Sequence, residues 1–458
     1  MLSPQISRDL GKQIQLFNRR LDQGASAFGV GDLQTYRSAL HSTGRSLEQL
    51  CKSGEVELSL VLELTWYQSL VKKVETEDHY HACFQHHTQA LWAAGRRMSP
   101  GPTIAGNTDS IAFVAHNSVL LGHTEVMLLV MEDWKKRFPK LRMFFVGLTP
   151  CMPDLAERLA MLGVDAITPA TKLPPLALAR WLRQTLWTEN VGTAVWLSLP
   201  VWAPYLFGYR IAKRQVFWAL KFHPVHLGDE IIHIGMTKKR DGTVNIHGKP
   251  WMAFQPPLAV AINERDTGTR AKLRGDYQDK FLFATLAREE KFNSPRFANA
   301  VARILQRCPG SIFMFTGREI SPVLERALVE HGVAEQAMFV GWVDTELYAN
   351  LIDCFLETFP FGCGVTGMQA LSHGTPVISL WDADTLPTFY FEGESQASRF
   401  HPNWNVLTDE EAYVNAAVDR FQRWGQGEQR TPISREMIAS LDSAKYEQFF
   451  KLVTGVCS

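Results

Sequence analysis

The chain has 458 residues, 46% of them hydrophobic and 21% charged, with 47 basic and 47 acidic side chains. At roughly 150 residues per domain, this length predicts about two to three domains. Because the formal net charge is zero, no global field favours nucleic acid or an anionic membrane. A nucleic-acid partner is therefore not expected.

The N-terminus lacks the apolar segment of a secretory signal. The most apolar stretch, residues 191–207, is interrupted by Gly192, Pro200 and Pro204, so no membrane span is expected. The seven cysteines are scattered, odd in number and without a CxxC pair. This usage is typical of reduced thiols rather than of a disulfide framework. We expect a soluble cytoplasmic protein.

The first hundred residues contain no convincing strand, and apolar positions such as Leu58, Val61 and Leu62 recur at helical spacing. Residues 1–100 are predicted to form an all-α domain. This domain could serve dimerisation, which leaves a homo-oligomer open. The run His79–His87 packs five potential metal ligands into nine residues. On a helix such a run could bind zinc or iron, but a polar helix face is the simpler interpretation.

From residue 107 apolar strands alternate with amphipathic helices, which is typical of a parallel sheet. Residues 107–275 are therefore predicted to be a first Rossmann-like domain. Its predicted strands are 111–115, 141–148, 164–167, 193–199 and 231–235, its helices are 123–137, 153–162 and 174–187, and a hairpin or loop covers 243–257.

The same alternation over residues 278–458 predicts a second Rossmann-like domain. Its predicted strands are 281–286, 311–316, 337–341 and 354–359, and its helices are 295–307, 322–331 and 345–352. The predicted fold class is thus α/β, with two Rossmann-like domains facing a cleft behind an all-α N-terminal domain. Ligands in such sheets bind beyond the carboxyl ends of the strands.

A glycine-rich loop follows the last of these strands. Gly362, Gly364 and Gly367 let the backbone approach a ligand closely, and Thr366 with Gly367 is predicted to open a helix. A helix N-terminus suits a phosphate. The spacing matches neither the Walker motif nor GxGxxG, which argues against a P-loop NTPase and an ordinary NAD enzyme. The loop favours a nucleotide or nucleotide-sugar, although glycines that merely turn the chain are the alternative.

These residues resemble the C-terminal half of the GT-B glycosyltransferases, specifically the protein O-GlcNAc transferases and cytosolic bacterial N-glycosyltransferases. The resemblance covers residues 280–390 well and the preceding domain loosely. Three motifs carry it: Arg288-Glu-Glu-Lys291, Phe359-Pro-Phe-Gly362 leading to Thr366-Gly-Met368, and Gly374-Thr-Pro-Val377 followed by Asp384. The resemblance implies the GT-B fold and a lysine, Lys291, that holds the donor diphosphate. It also implies that residues 107–275 form the acceptor side, that residues 278–458 form the nucleotide-sugar side, and that the helical residues 1–100 serve acceptor binding, with dimerisation as the alternative.

The donor-binding residues implied by the resemblance are Arg288, Lys291, Gly362, Gly364, Thr366, Gly367, Met368, Gln369 and Asp384. Two features depart from the family. Gln369 stands where the family usually has an aspartate that grips the ribose, and the region from Asp344 to Tyr348 has no obvious counterpart of the base-contacting histidine. The nucleotide or the sugar could therefore differ.

In the first Rossmann-like domain, Gly122-His-Thr124 resembles the family's histidine-bearing acceptor-side loop, with His116 as the alternative. A histidine suits a general base at neutral pH, so His123 and His116 join Lys291 as catalytic candidates. Each histidine could instead be structural. Glu125 is a weaker candidate for the same role, because acidic residues are common in the first turn of a helix.

Three further positions complete the candidate site. Lys221 and His223 lie between the two domains and are candidate substrate-binding residues. Asp382-Ala-Asp384 is a DxD sequence, the metal motif of a different glycosyltransferase fold. Because it follows a strand beyond the glycine loop, we interpret it as loop carboxylates near the sugar, and no metal is expected.

The predicted function is a metal-independent, inverting glycosyltransferase that moves a sugar from a UDP-sugar or related donor to a protein or peptide. No cofactor beyond the UDP-sugar co-substrate is expected. Lys291, Arg288 and the helix N–H groups would stabilise the leaving diphosphate in place of Mg²⁺. Two alternatives stay open: a non-catalytic GT-B-like scaffold or partner-stabilising subunit, and a nucleotide-sugar 2-epimerase.

Overall fold

The structure is a computed structural model. It describes residues 4–73, 77–101, 106–220, 231–235, 242–246, 248–254, 267–382, 404–427 and 446–455. Lys221, His223 and Asp384 lie outside the described residues, and so do the side chains of the run His79–His87. Among the helices described, none is long and apolar enough to cross a membrane.

The N-terminal region is helical, as predicted. It comprises α1 (Pro4–Val30), α2 (Leu33–Lys52), α3 (Val56–Ser69), a 3₁₀ turn (Val71–Lys73) and α4 (Glu77–Met98). Asp32 caps α2, because its carboxylate accepts the N–H of Thr35 at 3.0 Å. The indole of Trp66 is fully buried and donates to the carbonyl of Leu40 at 3.2 Å, which joins α3 to α2.

A first sheet follows, with an excursion into a hairpin at one edge. Its strands are β1 (Asn107–Ala115), β2 (Arg142–Gly147), β3 (Asp165–Ile167), β4 (Val191–Ser198), β5 (Arg214–Ala219), β6 (Ile232–Gly235), β7 (Thr243–Ile246) and β8 (Lys249–Ala253). Its helices are α5 (Gly122–Arg137), α6 (Pro153–Met161), α7 (Pro175–Thr188) and α8 (Ala203–Gly208). The order is β3-β2-β1-β4-β5-β6-β8-β7, and β7 pairs antiparallel with β8, which confirms the predicted hairpin.

Two elements of this region were not predicted from the sequence, namely α8 and β5. Residues 191–209 are mostly apolar, and periodicity alone cannot divide such a run into helix and strand. Arg210, Lys213 and Arg214 then obscure the start of β5. The aromatic residues of this region belong to the core. Trp196 and Trp218 are fully buried, and Phe217 is 4% exposed.

The N-terminal helices share a core with this first sheet. One hydrophobic cluster contains Phe17 and Trp66 from the helices together with Trp196 from β4. Helices α4 and α8 touch backbone to backbone: a Cβ at Gly95 would lie 2.1 Å from the carbonyl oxygen of Tyr205. The helical region and the first sheet therefore form one packed unit.

The second sheet has the order β11-β10-β9-β12-β13-β14, and all its pairings are parallel. Its strands are β9 (Leu282–Thr285), β10 (Ile312–Thr316), β11 (Ala337–Gly341), β12 (Cys354–Leu356), β13 (Val377–Leu380) and β14 (Trp404–Leu407). The helices are α9 (Thr267–Gly275), α10 (Pro295–Arg307), α11 (Pro322–Glu330), α12 (Thr345–Leu351), α13 (Gly364–Ser372) and α14 (Glu410–Gly425), with 3₁₀ turns at Glu289–Phe292 and Ala334–Gln336. Ignoring the β7–β8 hairpin, both sheets follow the doubly wound order 3-2-1-4-5-6.

A last helix, α15 (residues 446–454), packs on the first sheet rather than on the second. Phe449 lies with its ring centroid 4.1 Å from that of Trp218 and 5.4 Å from that of Trp134. Arg214 donates to the carbonyl of Val453 at 2.6 Å. The packing therefore corrects the expectation that residues 278–458 form one domain. Helix α15 belongs to the first sheet, because Phe449 is buried against Trp134 and Trp218 there.

Candidate functional site

Each sheet reverses its strand order at one point, between β1 and β4 in the first and between β9 and β12 in the second. Ligands of doubly wound sheets bind in the crevice at the carboxyl ends of such strands. At the first reversal the N–H of His116 meets the hydroxyl and carbonyl oxygens of Ser198, at 2.9 and 3.2 Å. At the second the hydroxyl of Thr285 donates to the carbonyl of Leu356 at 2.6 Å.

The phosphate loop, as we name residues 357–363, is built on a buried carboxylate. Glu357 is 3% exposed, and its Oε1 accepts the N–H of Cys363 at 3.0 Å. Its Oε2 accepts the hydroxyl of Ser379, on β13, at 2.5 Å. Glu357 was not singled out from the sequence. The signal that could have found it is an acidic residue at the end of an otherwise apolar strand.

Helix α13 begins at Gly364, two residues before the predicted start at Thr366. The reason is that Glu357 holds the N–H of Cys363 at the N-cap position, so the chain turns helical directly afterwards. The N–H of Gly367 makes a helical bond to the carbonyl of Cys363 at 3.0 Å. The N–H groups that precede Gly367 therefore have no acceptor within the helix and lie at its N-terminus.

Lys291 contacts the loop that precedes this N-terminus. Its Nζ donates to the carbonyl oxygen of Gly362, in the phosphate loop. Arg288 lies in the same turn, but its guanidinium pairs with the carboxylate of Glu290 at 2.8 Å. The structure thus joins Lys291 to the phosphate loop and gives Arg288 a local acidic partner.

The remaining donor-side candidates have different environments. The hydroxyl of Thr366 lies 2.8 Å from the carbonyl oxygen of Leu286, which ties α13 to the end of β9. Gln369 accepts the hydroxyl of Thr345 at 3.0 Å through its Oε1. The side chain of Met368 is 2% exposed and belongs to the core.

The described member of the DxD sequence has a structural partner. Asp382 accepts from the guanidinium of Arg296 at 2.5 Å, and Arg296 also pairs with Glu410 at 2.6 Å. Over the part of the chain that the structure describes, no group of three His, Cys, Asp or Glu residues is placed to hold a metal ion. Burial raises the pKa of the Cys363 thiol, so this cysteine is not poised as a thiolate.

The acceptor-side candidates lie at the start of α5, opposite α13. A methyl group at Gly122 would lie 3.4 Å from Cγ2 of Val365, so the N-termini of α5 and α13 face each other across the cleft. His123 is buried at 8% exposure, whereas His116 is half-buried at the end of β1. Gly122, at the start of α5 and next to His123, therefore lies beside Val365 in the first turn of α13.

Glu125 extends this cross-cleft contact. Burial raises its pKa, Arg158 on α6 lowers it, and the acidic side chains of Glu346 and Asp344 raise it further. Both of these acidic residues stand at the start of α12, in the second domain. A charge on Glu125 is thus disfavoured by its burial and by the opposite side of the cleft.

A flat, exposed surface lies at the carboxyl ends of β10 and β11. Trp342 is 55% exposed, and the guanidinium of Arg318 lies 5.8 Å from its ring centroid. The N–H of Arg318 donates to the carboxylate of Glu289 at 3.1 Å, two residues from Lys291. This surface is therefore linked to the turn that carries the lysine.

No protein-family model and no curated protein matches the sequence. Among solved structures, a mutant of the Thermobaculum terrenum O-GlcNAc transferase matches with a TM-score of 0.53 and 15% identity, over 97% of this chain and 96% of that chain. The lipopolysaccharide glycosyltransferase WaaG matches with a TM-score of 0.43 and 11% identity, over 76% of this chain and 100% of that chain. A Listeria monocytogenes protein described as a UDP-N-acetylglucosamine 2-epimerase matches with a TM-score of 0.43 and 11% identity, over 72% of this chain and 93% of that chain.

The fold is therefore the GT-B fold of the O-GlcNAc transferase, and the predicted fold class is confirmed. The likeness extends over nearly the whole of both chains and includes the helical N-terminal region. At 15% identity, this likeness shows that the two backbones have the same fold. The chemistry of the site has to be argued from this chain's own residues.

Proposed function

We propose that this protein is a glycosyltransferase that moves a sugar from a nucleotide-sugar, a UDP-sugar being favoured, to a protein or peptide. One observation carries the proposal: Lys291 reaches the phosphate loop at the N-terminus of α13, where the second sheet reverses its order. A fixed cation and unbonded helix N–H groups at one point match a diphosphate.

The same groups can assist departure of the diphosphate. As the bond between sugar and phosphate breaks, negative charge develops on the departing oxygen. In the proposed complex this oxygen lies beside Lys291 and the N–H groups at Gly364 to Thr366, which would stabilise the transition state more than the ground state. No metal ion is required by this arrangement, and we propose that none takes part.

The acceptor would approach from the first domain. His116 lies at the strand reversal of that sheet, and α5 meets α13 across the cleft. We assign His116 as the general base that removes the acceptor proton while the donor carbon is attacked from the side opposite the diphosphate. Attack from that side inverts the anomeric centre.

Two further features support a nucleotide and a macromolecular acceptor. The exposed ring of Trp342 offers a flat face on which a nucleobase can stack. The N-terminal helices share a core with the acceptor-side sheet, so they hold a fixed position relative to His116. A rigid helical surface beside the base is suited to presenting a protein segment.

Calorimetric titration with UDP, GDP, ADP and CDP, each repeated with EDTA, tests the proposal. We expect one diphosphate, UDP, to bind selectively with an affinity that EDTA does not change. Binding by none of the four would contradict the proposal and favour a GT-B-like scaffold. Loss of binding in EDTA would contradict the metal-independent mechanism.

The nature of the reaction needs a second measurement on the same protein. With the matching UDP-sugar, a transferase retains the donor until an acceptor or water takes the sugar, and it releases UDP together with an intact sugar configuration at C2. Conversion of the donor to its C2 epimer, followed by NMR, would instead identify the epimerase alternative.

A further inference from the structure

One peptide unit of the phosphate loop is held from both sides by opposite charges. The carbonyl of Gly362 accepts from the ammonium of Lys291, and the N–H of the same peptide, on Cys363, donates to the carboxylate of Glu357 at 3.0 Å. We propose that Glu357 is a positioning residue that acts through this peptide on Lys291. It fixes the peptide so that its carbonyl holds the ammonium at the N-terminus of α13.

The carboxylate is itself held in place. Its second oxygen accepts the hydroxyl of Ser379 at 2.5 Å, and the hydroxyl of Tyr413 donates to the backbone carbonyl of Glu357 at 3.0 Å. Burial of a carboxylate is unfavourable unless hydrogen bonds compensate for the lost water. The two bonds of the carboxylate come from the loop and from β13, so Glu357 fixes the phosphate loop relative to β13, whereas Tyr413 on α14 holds only its backbone.

The position of this carboxylate distinguishes it from an ordinary buried acid. Glu357 lies directly before a loop that is proposed to bind a diphosphate, where a negative charge repels the ligand. Besides burial, which raises the pKa of the Cys363 thiol, the charge of Lys291 lowers this pKa and the charge of Glu357 raises it. The benefit of the carboxylate must therefore come from geometry, because its charge alone opposes the ligand.

The inference rests on the proposed function. It is tested by whether a single substitution strengthens or weakens the binding of a diphosphate. Glu357→Gln keeps the shape of the side chain and can still accept from Cys363 while donating to Ser379. If Glu357 only contributed charge, its neutralisation would strengthen binding of a diphosphate. If it positions the loop, binding weakens by about fivefold, because a neutral acceptor holds an N–H less strongly than a carboxylate does.

The experiment is a double-substitution cycle on UDP affinity, measured by calorimetry in wild type, Glu357→Gln, Lys291→Ala and the double variant. We expect Glu357→Gln to weaken binding about fivefold in the wild-type background and to have no further effect without Lys291. Unchanged or tighter binding in Glu357→Gln overturns the inference. So does an equal fivefold loss in both backgrounds, because Glu357 would then act independently of the lysine.

Tyr413→Phe is the matched control. It removes the hydrogen bond to the backbone of Glu357 and leaves the bonds of the carboxylate in place. We expect it to lower the unfolding temperature without changing UDP affinity, and an equal loss of affinity in this control would overturn the inference. If wild type binds none of the four diphosphates, the proposed function fails instead. If wild type binds and Glu357→Gln binds equally well, only the role of Glu357 fails.

Discussion

The two strand reversals of this protein have the same topology and different chemistry. At the second sheet, a lysine and a buried glutamate hold a glycine loop at the start of α13. At the corresponding place in the first sheet, the backbone N–H of His116 donates to the hydroxyl of Ser198. Nearby, the hydroxyl of Ser118 donates to the carbonyl of Thr149 at 2.8 Å. One site has charges fixed around a helix N-terminus, and the other has neutral hydroxyls and histidines.

In the proposed transfer reaction, this difference gives the two halves of the fold different tasks. A site for a diphosphate needs permanent positive potential, which lysine and helix N–H groups supply. A site that removes a proton needs a group that titrates near neutral pH, which histidine supplies. The two halves of the protein come into contact where Gly122 meets Val365.

The largest expected effect follows from removal of the cation. Lys291→Ala should lower the rate of transfer on the order of 10² to 10³-fold and weaken UDP binding, by analogy with the loss of one oxyanion donor. Steady-state kinetics and calorimetry measure the two effects. Lys280→Ala is the matched control, because this exposed lysine precedes the amino end of β9. Equal losses in both variants would show that general charge, and not the site, attracts the ligand.

A substitution at the other reversal should separate chemistry from donor binding. His116→Ala should lower turnover by about 10²-fold, as expected for loss of a general base, and leave UDP affinity unchanged. His123→Ala serves for comparison, because its side chain is more deeply buried at the start of α5. A larger loss of turnover in His123→Ala, with UDP affinity again unchanged, would move the role of the base to that histidine.

The sequence allowed most of the fold to be predicted because strands and helices alternated at clear boundaries. Prediction failed where no clear boundary separated the elements, as between residues 199 and 220, where α8 and β5 lie. It also failed for α15, since its position depends on contacts of Phe449 with Trp134 and Trp218, far away in the chain. Such long-range aromatic packing leaves no local pattern.

The site was partly predictable for a similar reason. The resemblance singled out Lys291 and the glycine loop, and the fold brings the two into contact at the carbonyl of Gly362. Glu357 escaped notice because a single acidic residue after a strand has no pattern of its own. Its role depends on Ser379, 22 positions further along the chain, which only the folded sheet brings near.

A smaller effect is expected on stability, where the N-terminal helices pack against the first sheet. The first sheet shares its core with the N-terminal helices, and Gly95 lies where α4 contacts α8. Gly95→Ala should destabilise the protein by about 1–3 kcal/mol, because the new methyl group meets backbone atoms. Thermal unfolding measures this change. Gly11→Ala is the control: nothing lies within 4 Å of its added Cβ, so helix propensity should make it neutral or stabilising.

The smallest expected effect concerns the ionisation of Glu125, which acidic residues of the second domain oppose. Burial raises the pKa of Glu125, Arg158 opposes this, and the facing residues Glu346 and Asp344 reinforce it. The folded state therefore holds this proton more tightly than the unfolded state. The stabilisation is fully present below the ordinary carboxyl pKa and is lost as the pH rises through the raised value.

Glu125→Gln should consequently be more stable than wild type at neutral pH, and the difference should disappear in acid. Unfolding in denaturant at a series of pH values measures it. Glu157→Gln, exposed on α6, provides the control. If Glu125→Gln followed the wild-type pH dependence, Glu125 would be solvated, and the cleft between α5 and α12 would be more open than the contact of Gly122 with Val365 implies.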